Sequence, residues 1–329
     1  MKIASFNIQR FGISKVSDPA VLAILVKIVS RYDIIVIMEV VDISGESVKI
    51  FLDALNKASA EQHHYSLKIS SRLGRTCYKE QYMFLYRDDL VDLVGTYQFD
   101  DQATEKEDIF ARDPYILRFK CPCTVLKDLV LIPVHTKPDD SDRELDELYD
   151  VFQDVKRKWR TDNIMILGDF NADGSYLSKK DMRDLRIRKD KNFHWLIGDD
   201  VDTTASTRND HTYDRIVVYG DDMVEAIVPN SAKPFNFQMA YGLTEGQALK
   251  VSDHYPVEVE MKHTNQTDGY DVFAQQQRYK PVSGLPGQDA DLVELKRGNL
   301  LLEREKLSLE IQILRAKLAK QSHIPTDQF

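Results

Sequence analysis

Cysteine is scarce in this chain: Cys77, Cys121 and Cys123 are the only three among 329 residues. The number is odd, and Cys121 and Cys123 stand too close in sequence for an unstrained bridge. A disulfide-built scaffold is therefore excluded, and the simplest expectation is free thiols in a reducing compartment. Long apolar runs are missing too. The longest, Asp33-Ile34-Ile35-Val36-Ile37-Met38-Glu39, is strand-sized, whereas a membrane-spanning helix needs roughly 18 residues or more. No membrane association is expected. Polar Asn7 follows Met1-Lys2-Ile3-Ala4-Ser5-Phe6 at once, which leaves no apolar core for a signal peptide. The expected location is intracellular, in cytoplasm or nucleus. A basic excess is also absent. The formal net charge is −9, and residues 263–329 hold nine acidic and nine basic residues, so residues 1–262 carry all of it. That excludes a protein that coats DNA by neutralising many phosphates. It leaves room for an enzyme that gathers carboxylates around a metal ion.

What is present is an ordinary globular composition, 43% hydrophobic and 29% charged. Over residues 1–262, apolar strand-like runs alternate with helical patterns. The runs are Lys2–Ile8, Asp33–Val40, Tyr82–Tyr86, Leu129–Val134, Asn163–Leu167, Arg215–Tyr219 and Pro256–Met261. Pro19–Arg31, Ser47–Asn56 and Arg143–Trp159 place apolar residues at three- and four-residue spacing and predict helices. Unbroken hydrophobic strands in a mixed α/β chain imply sheets covered on both faces. Residues 263–289 lose periodicity, gain Gly, Pro, Gln and Asn, and read as a flexible linker. Residues 290–321 predict a helical, coiled-coil-like tail. Val293, Leu300, Leu307, Ile311, Leu314 and Leu318 fall on heptad seam positions, and Arg297 and Arg304 spoil two more. Such a helix either packs on its own domain or supports weak self-association through 290–320.

The chemistry sits where the strands end. Ser5-Phe6-Asn7 lies in the first and Met38-Glu39 closes the second. Leu131-Ile132-Pro133-Val134-His135 ends on a histidine, and Leu167-Gly168-Asp169-Phe170-Asn171 on an acid and an amide. Thr212-Tyr213-Asp214 and Ser252-Asp253-His254 precede the last two apolar runs. Taken singly, each has an ordinary structural reading. Gly-Asp-Phe-Asn makes turns, and a histidine after a strand is usually just hydrogen-bonded. Together, at strand ends along one domain, they point to an active site. Oxygen ligands such as Asn7, Glu39, Asp169, Asn171 and Asp253 suit a hard cation, Mg²⁺ or Mn²⁺. Two histidines with acidic partners suit general acid–base work near neutral pH.

These motifs, with Leu73-Gly74-Arg75-Thr76-Cys77-Tyr78-Lys79-Glu80-Gln81-Tyr82 and Tyr213-Asp214-Arg215-Ile216-Val217, resemble the deoxyribonuclease I family of the wider endonuclease/exonuclease/phosphatase superfamily. The resemblance covers residues 1–262. It implies a four-layer α/β sandwich, two packed mixed β-sheets flanked by helices, to which this chain adds its C-terminal helix. It also implies a divalent-metal-dependent endonuclease that cuts DNA to 5′-phosphate ends. By matching positions, Glu80 would orient His135 and Asp214 would orient His254. Glu39, Asp169, Asn171, Asp253 and Asn7 would hold the metal. Arg10, Tyr78 and Arg112 would contact DNA, and Asp101, Asp108 and Asp113 match a loop that binds structural Ca²⁺ in relatives.

Departures from the family pattern carry expectations of their own. Secreted relatives bridge the positions of Gly174 and His211 by a disulfide that this chain lacks. Arg208 and Asn209 replace small hydroxyl residues near Asp214. In Tyr65-Ser66-Leu67-Lys68-Ile69, the stretch matching the actin contact of the pancreatic enzyme, Leu67 replaces an aromatic and Lys68 adds a charge. Weak or no actin binding is expected. Two other functions compete with the endonuclease: a superfamily phosphodiesterase acting on abasic-site DNA or a phospholipid, and a catalytically silent scaffold. The Leu73–Tyr82 stretch disfavours the first, and two intact His–acid pairs disfavour the second.

Overall fold

The structure is a computed structural model that describes residues 1–60, 62–100 and 109–264. The linker and tail expected over 263–321 lie almost wholly outside the described residues, as do Asp101 and Asp108.

Among the described residues, twelve strands form two six-stranded sheets. The first contains β1 (Lys2–Phe11), β2 (Ile34–Val40), β3 (Tyr65–Ile69), β4 (Gln81–Arg87), β11 (Lys233–Pro234) and β12 (Val257–Glu260), in the order β11-β12-β1-β2-β4-β3. The second contains β5 (Asp92–Gln98), β6 (Tyr115–Cys121), β7 (Lys127–His135), β8 (Ile164–Asp169), β9 (Phe193–Trp195) and β10 (Asp214–Tyr219), in the order β5-β6-β7-β8-β10-β9. Both sheets are mixed in the same way. One parallel pair, β1–β2 or β7–β8, sits at the centre, and antiparallel strands flank it.

A helix makes each parallel crossover. Pro19–Val29 joins β1 to β2; Asp18 caps it by accepting from the backbone N–H of Ala20 and Val21, and Pro19 takes the first turn, where its missing donor costs nothing. Its Val21, Leu25, Ile28 and Val29 are buried. Ser141–Trp159 joins β7 to β8 and buries Leu145, Leu148, Val151, Phe152 and Val155. It stops at Arg160, whose φ of 50° ends the right-handed turn.

Strand alternation sorts the side chains into three apolar layers. Ile3, Ile34, Val36, Met38, Phe84, Leu129, Leu131, Met165, Leu167, Ile216 and Val218 fill the space between the sheets. Ala4, Phe6, Ile8, Ile35 and Ile37 face the helices of the first sheet. Val130, Ile132, Val134, Ile164, Ile166 and Val217 face the helix Ser141–Trp159. The expected four-layer sandwich of two packed sheets flanked by helices is the architecture found. The seven expected strands and three expected helices are all present, with ends shifted by a few residues.

The same alternation aims the site. Ser5 and Asn7 share the inward parity of Ile3. Glu80 shares that of Tyr82 and Phe84, His135 that of Leu129 and Leu131, Asp169 that of Met165 and Leu167, and Asp214 that of Ile216. Each is the point at which an apolar inter-sheet row turns polar. Asn7, Glu80, His135, Asp169 and Asp214, in or next to five different strands, therefore meet at one end of the sandwich.

Candidate active site

Two imidazoles stand at that end, each gripped from behind. Nδ1 of His135 lies 2.6 Å from Oε1 of Glu80, and Nδ1 of His254 lies 2.7 Å from Oδ2 of Asp214. An ionised carboxylate only accepts, so both Nδ1 atoms carry hydrogen and both Nε2 atoms face the site. Both Nε2 atoms lie 3.7 Å from the same oxygen, Oδ2 of Asp169. Asn7 reaches that oxygen as well, donating from Nδ2 at 3.0 Å, and donates equally to Oε1 of Glu39 at 3.0 Å. Asp253 flanks His254: its Oδ1 is 3.9 Å from Nε2, and its Oδ2 accepts from Gln9 at 2.9 Å.

Three of the residues here hold left-handed backbone conformations: Arg10 (φ 55°), Glu39 (φ 60°) and Asn171 (φ 47°). Such conformations cost of order 1 kcal/mol and persist where the surroundings impose them. At Glu39 the consequence is direct. Regular alternation would send its side chain to the helix side with Ile35 and Ile37; the left-handed turn and the register slip before Val40 bring it to Asn7 instead. The backbone N–H of Arg10 then donates to Oε2 of Glu39 at 2.9 Å. Asn171 donates its backbone N–H to Asp169 at 3.0 Å, and its side-chain amide to the carbonyl of Thr136.

Burial sets the electrostatics. For His254, burial alone pushes the imidazole down, but the carboxylates of Asp214, Asp169 and Asp253 outweigh it and hold the ring well above its ordinary value. His135 is likewise raised: burial opposes, Glu80 prevails, and the Arg112 guanidinium works against protonation. Asp169 is held below the usual carboxylate range; burial opposes, and the two imidazoles dominate.

Arg112 does not extend toward solvent. Its guanidinium pairs with Glu80 and donates to the carbonyl of His135 at 3.2 Å, so it braces the His135 pair. Tyr78 is exposed on the loop before β4, and Arg10 is exposed beside Glu39. Asp113 follows Arg112, and its carbonyl accepts from Gln98.

Several supports escape sequence reasoning. Ser252 donates to the carbonyl of Asn7 at 2.6 Å and accepts from the N–H of His254. The Tyr82 hydroxyl accepts from the N–H of His135 at 2.9 Å. Buried Arg215 donates to the carbonyls of Thr212, Ile197 and Ala172, tying the loop after Asn171 to the approach to Asp214. Buried Glu144 accepts from the N–H groups of Ala111 and Lys137, beside Arg112 and just beyond His135. Ser252, Tyr82 and Arg215 lie within the motifs quoted above, which gave them no role of their own, and Glu144 lies in none of them.

A cation has two candidate seats. Asp169, Asp214 and His254 present ligand atoms within 4.8 Å of one another. Binding there would compete with the short Asp214–His254 hydrogen bond. Glu39 and Asp169 converge on Asn7 without that conflict, and Oδ1 of Asn7 is buried with no hydrogen-bond partner. The two carboxylates, held together by the Nδ2 of Asn7, offer oxygen alone, which a hard divalent ion prefers.

The chain matches the family model described as the Endonuclease/Exonuclease/phosphatase family over residues 4–254. It is 45% identical to human deoxyribonuclease gamma over 262 residues, covering 80% of this chain and 86% of that protein. Rabbit deoxyribonuclease-1 is 45% identical over 260 residues, covering 79% and 92%. Among solved structures, a humanized D. rerio TDP2 superposes with a TM-score of 0.53 at 15% identity, covering 79% of this chain and 97% of that one. The catalytic domain of human Nocturnin gives 0.51 at 14%, covering 80% and 94%. These structural likenesses speak for the fold alone.

Proposed function

The chain belongs to the deoxyribonuclease I family, and from that membership we infer that it is an endonuclease hydrolysing the phosphodiester bonds of DNA. One observation carries the chemistry: two imidazoles, each locked at Nδ1 by a buried carboxylate, converge through Nε2 on one oxygen of Asp169.

A phosphodiester placed between the rings meets a base on one side and an acid on the other. We assign His135 as the base. The Arg112 guanidinium stands beside it and opposes its protonation. His254 faces three carboxylates, which hold it protonated as the acid. Water loses a proton to His135 as its oxygen bonds to phosphorus. The P–O3′ bond breaks, and His254 delivers a proton to the departing 3′-oxygen. The products are a 5′-phosphate and a 3′-hydroxyl. Each positioned proton transfer contributes roughly 10²–10⁴ in rate.

Glu39 and Asp169, with Asn7, would hold a divalent cation, Mg²⁺ or Mn²⁺, with Asp253 and Asn171 at the flanks. When bound, it neutralises charge on the phosphate. The side chains do the rest: Glu80 and Asp214 fix the ring tautomers, and Arg112 braces Glu80. The decisive experiment is nicking of supercoiled plasmid with and without EDTA, beside His135→Ala. Activity that survives both overturns the assignment.

A further inference from the structure

We propose that Glu144 is a positioning residue for the reaction: one oxygen of its carboxyl group ties the loop that carries Arg112 to the segment just after His135, and so keeps Arg112 on the Glu80–His135 pair. The inference rests on the reading of that pair as part of a DNA-hydrolysing site.

Glu144 lies in the first turn of the helix Ser141–Trp159, yet it is only 1% exposed. Its Oε1 accepts from the backbone N–H of Ala111 at 3.2 Å and from that of Lys137 at 3.3 Å. Ala111 adjoins Arg112, whose guanidinium pairs with Glu80 and donates to the carbonyl of His135 at 3.2 Å. Lys137 stands two residues beyond His135. A single side chain from the helix thus fixes the distance between the loop of the guanidinium and the strand end of the imidazole.

Neighbouring contacts close the same clasp. Arg75, in the loop that leads to Glu80, donates to the carbonyl of Ile109 at 2.5 Å and pairs with Oδ2 of Asp140 at 3.3 Å. Nζ of Lys137 lies 2.9 Å from that same oxygen. Phe110 packs edge-on against Phe99, with centroids 5.9 Å apart. The segments that supply Glu80, Arg112 and His135 are therefore each held to another behind the site, and Glu144 is the buried member of the cluster.

Burial argues for position rather than for stability. A carboxyl group taken out of water resists ionisation, and that of Glu144 is pushed up to about 7 although two N–H groups favour its charge. An apolar side chain could fill the same space without that cost. What it lacks is an oxygen to stand between two backbone N–H groups. The charge is not needed for this, because a protonated carboxyl or an amide presents the same acceptor.

The test is nicking of supercoiled plasmid at saturating Mg²⁺, with kcat and KM referred to folded protein from melting curves. Glu144→Gln keeps the oxygen and is expected to nick within about threefold of wild type. Glu144→Ala is expected to lower kcat about tenfold with KM little changed, since a misplacement of ~1 Å costs up to about 10²-fold. Glu144→Asp keeps the charge but withdraws the oxygen by a methylene; it also lowers kcat, and it decides the matter if the alanine chain does not fold. On an Arg112→Ala background, Glu144→Ala is expected to change kcat by less than about threefold, because the group it positions is gone. Unchanged kcat in both Glu144→Ala and Glu144→Asp, a Glu144→Gln chain as impaired as Glu144→Ala, or a loss that persists undiminished without Arg112 each overturn the positioning role while wild-type nicking stands. A wild-type chain that does not nick DNA overturns the nuclease reading instead.

Discussion

Asp214→Asn isolates what a buried carboxylate does for His254. Asp214 is fully buried, and Asn is nearly its isostere. The amide oxygen still accepts from Nδ1 at the present 2.7 Å separation, and the pairing of Asp214 with Asp169 across β10 and β8 is a backbone property. Ring position and fold are therefore retained; the negative charge is lost. Burial lowers the proton affinity of His254, and the carboxylates, Asp214 first, raise the pKa from 6.5 to about 10. Without Asp214 the value falls back, at 1.36 kcal/mol per unit of differential stabilisation. The sign follows from the assigned role. A general acid works only while protonated, so the alkaline limb of the pH–rate profile moves to lower pH. At pH 8 the rate falls by roughly 10²–10⁴. The assay is plasmid nicking from pH 5 to 9, with melting temperature recorded in parallel. An Asn variant with wild-type stability, a rate within threefold and an unmoved alkaline limb would refute the role given to the Asp214–His254 pair.

Other expectations follow from the same contacts. EDTA abolishes nicking, and Asp169→Asn raises the Mg²⁺ concentration for half-maximal activity at least tenfold; an unchanged requirement removes Asp169 from the cation site. Burial lifts Glu144 to about 7 against the opposing N–H groups of Ala111 and Lys137. Its folded value exceeds the unfolded one, so the stability it contributes is present below about 4.5 and lost as pH rises through about 7. Glu144→Gln is accordingly expected to stabilise the protein at pH 8 by up to ~3 kcal/mol and not at pH 4.5; urea melts at the two pH values decide. Cys77, Cys121 and Cys123 are free thiols, so dithiothreitol should leave activity unchanged, and a loss would show that a disulfide matters. Stoichiometric monomeric actin should leave nicking unaffected, because edge strand β3 offers Leu67 and Lys68 rather than an aromatic; strong inhibition refutes this.

Much of the fold was legible because its central strands are apolar on both faces. Ile34–Met38 and Ile164–Leu167 run hydrophobic without a break, as strands covered by helices on one side and a second sheet on the other must. The strands left unassigned are short or peripheral. β5 exposes every other residue at a sheet edge, β9 has three residues and β11 two. β6 carries Arg118 and Lys120 among its apolar positions. The helices missed, such as Lys179–Asp184 and Phe237–Ala240, span too few residues to show a period. Acid–base candidates were visible as polar residues at the ends of apolar runs. Glu144 was not, because a glutamate in the first turn of an acidic helix reads as a solvated charge until the loop it pins is seen.

The arrangement of the site follows from the two matched sheets. Each contributes its central parallel pair: β1 and β2 bring Asn7 and Glu39, and β7 and β8 bring His135 and Asp169. Strands that turn apolar inward along their length need only one polar residue at the same end to line a shared cleft. Parity therefore delivers Asn7, His135, Asp169, Asp214 and Glu80 at no conformational cost. Glu39 is the exception. It has the wrong parity, and a left-handed backbone turn corrects it. Glycine at position 39 would relax that turn and remove the carboxylate together; Glu39→Asn, tolerant of the same φ, keeps the turn and loses only the charge. The strain is thus spent at a residue that the proposed cation site uses and alternation cannot supply.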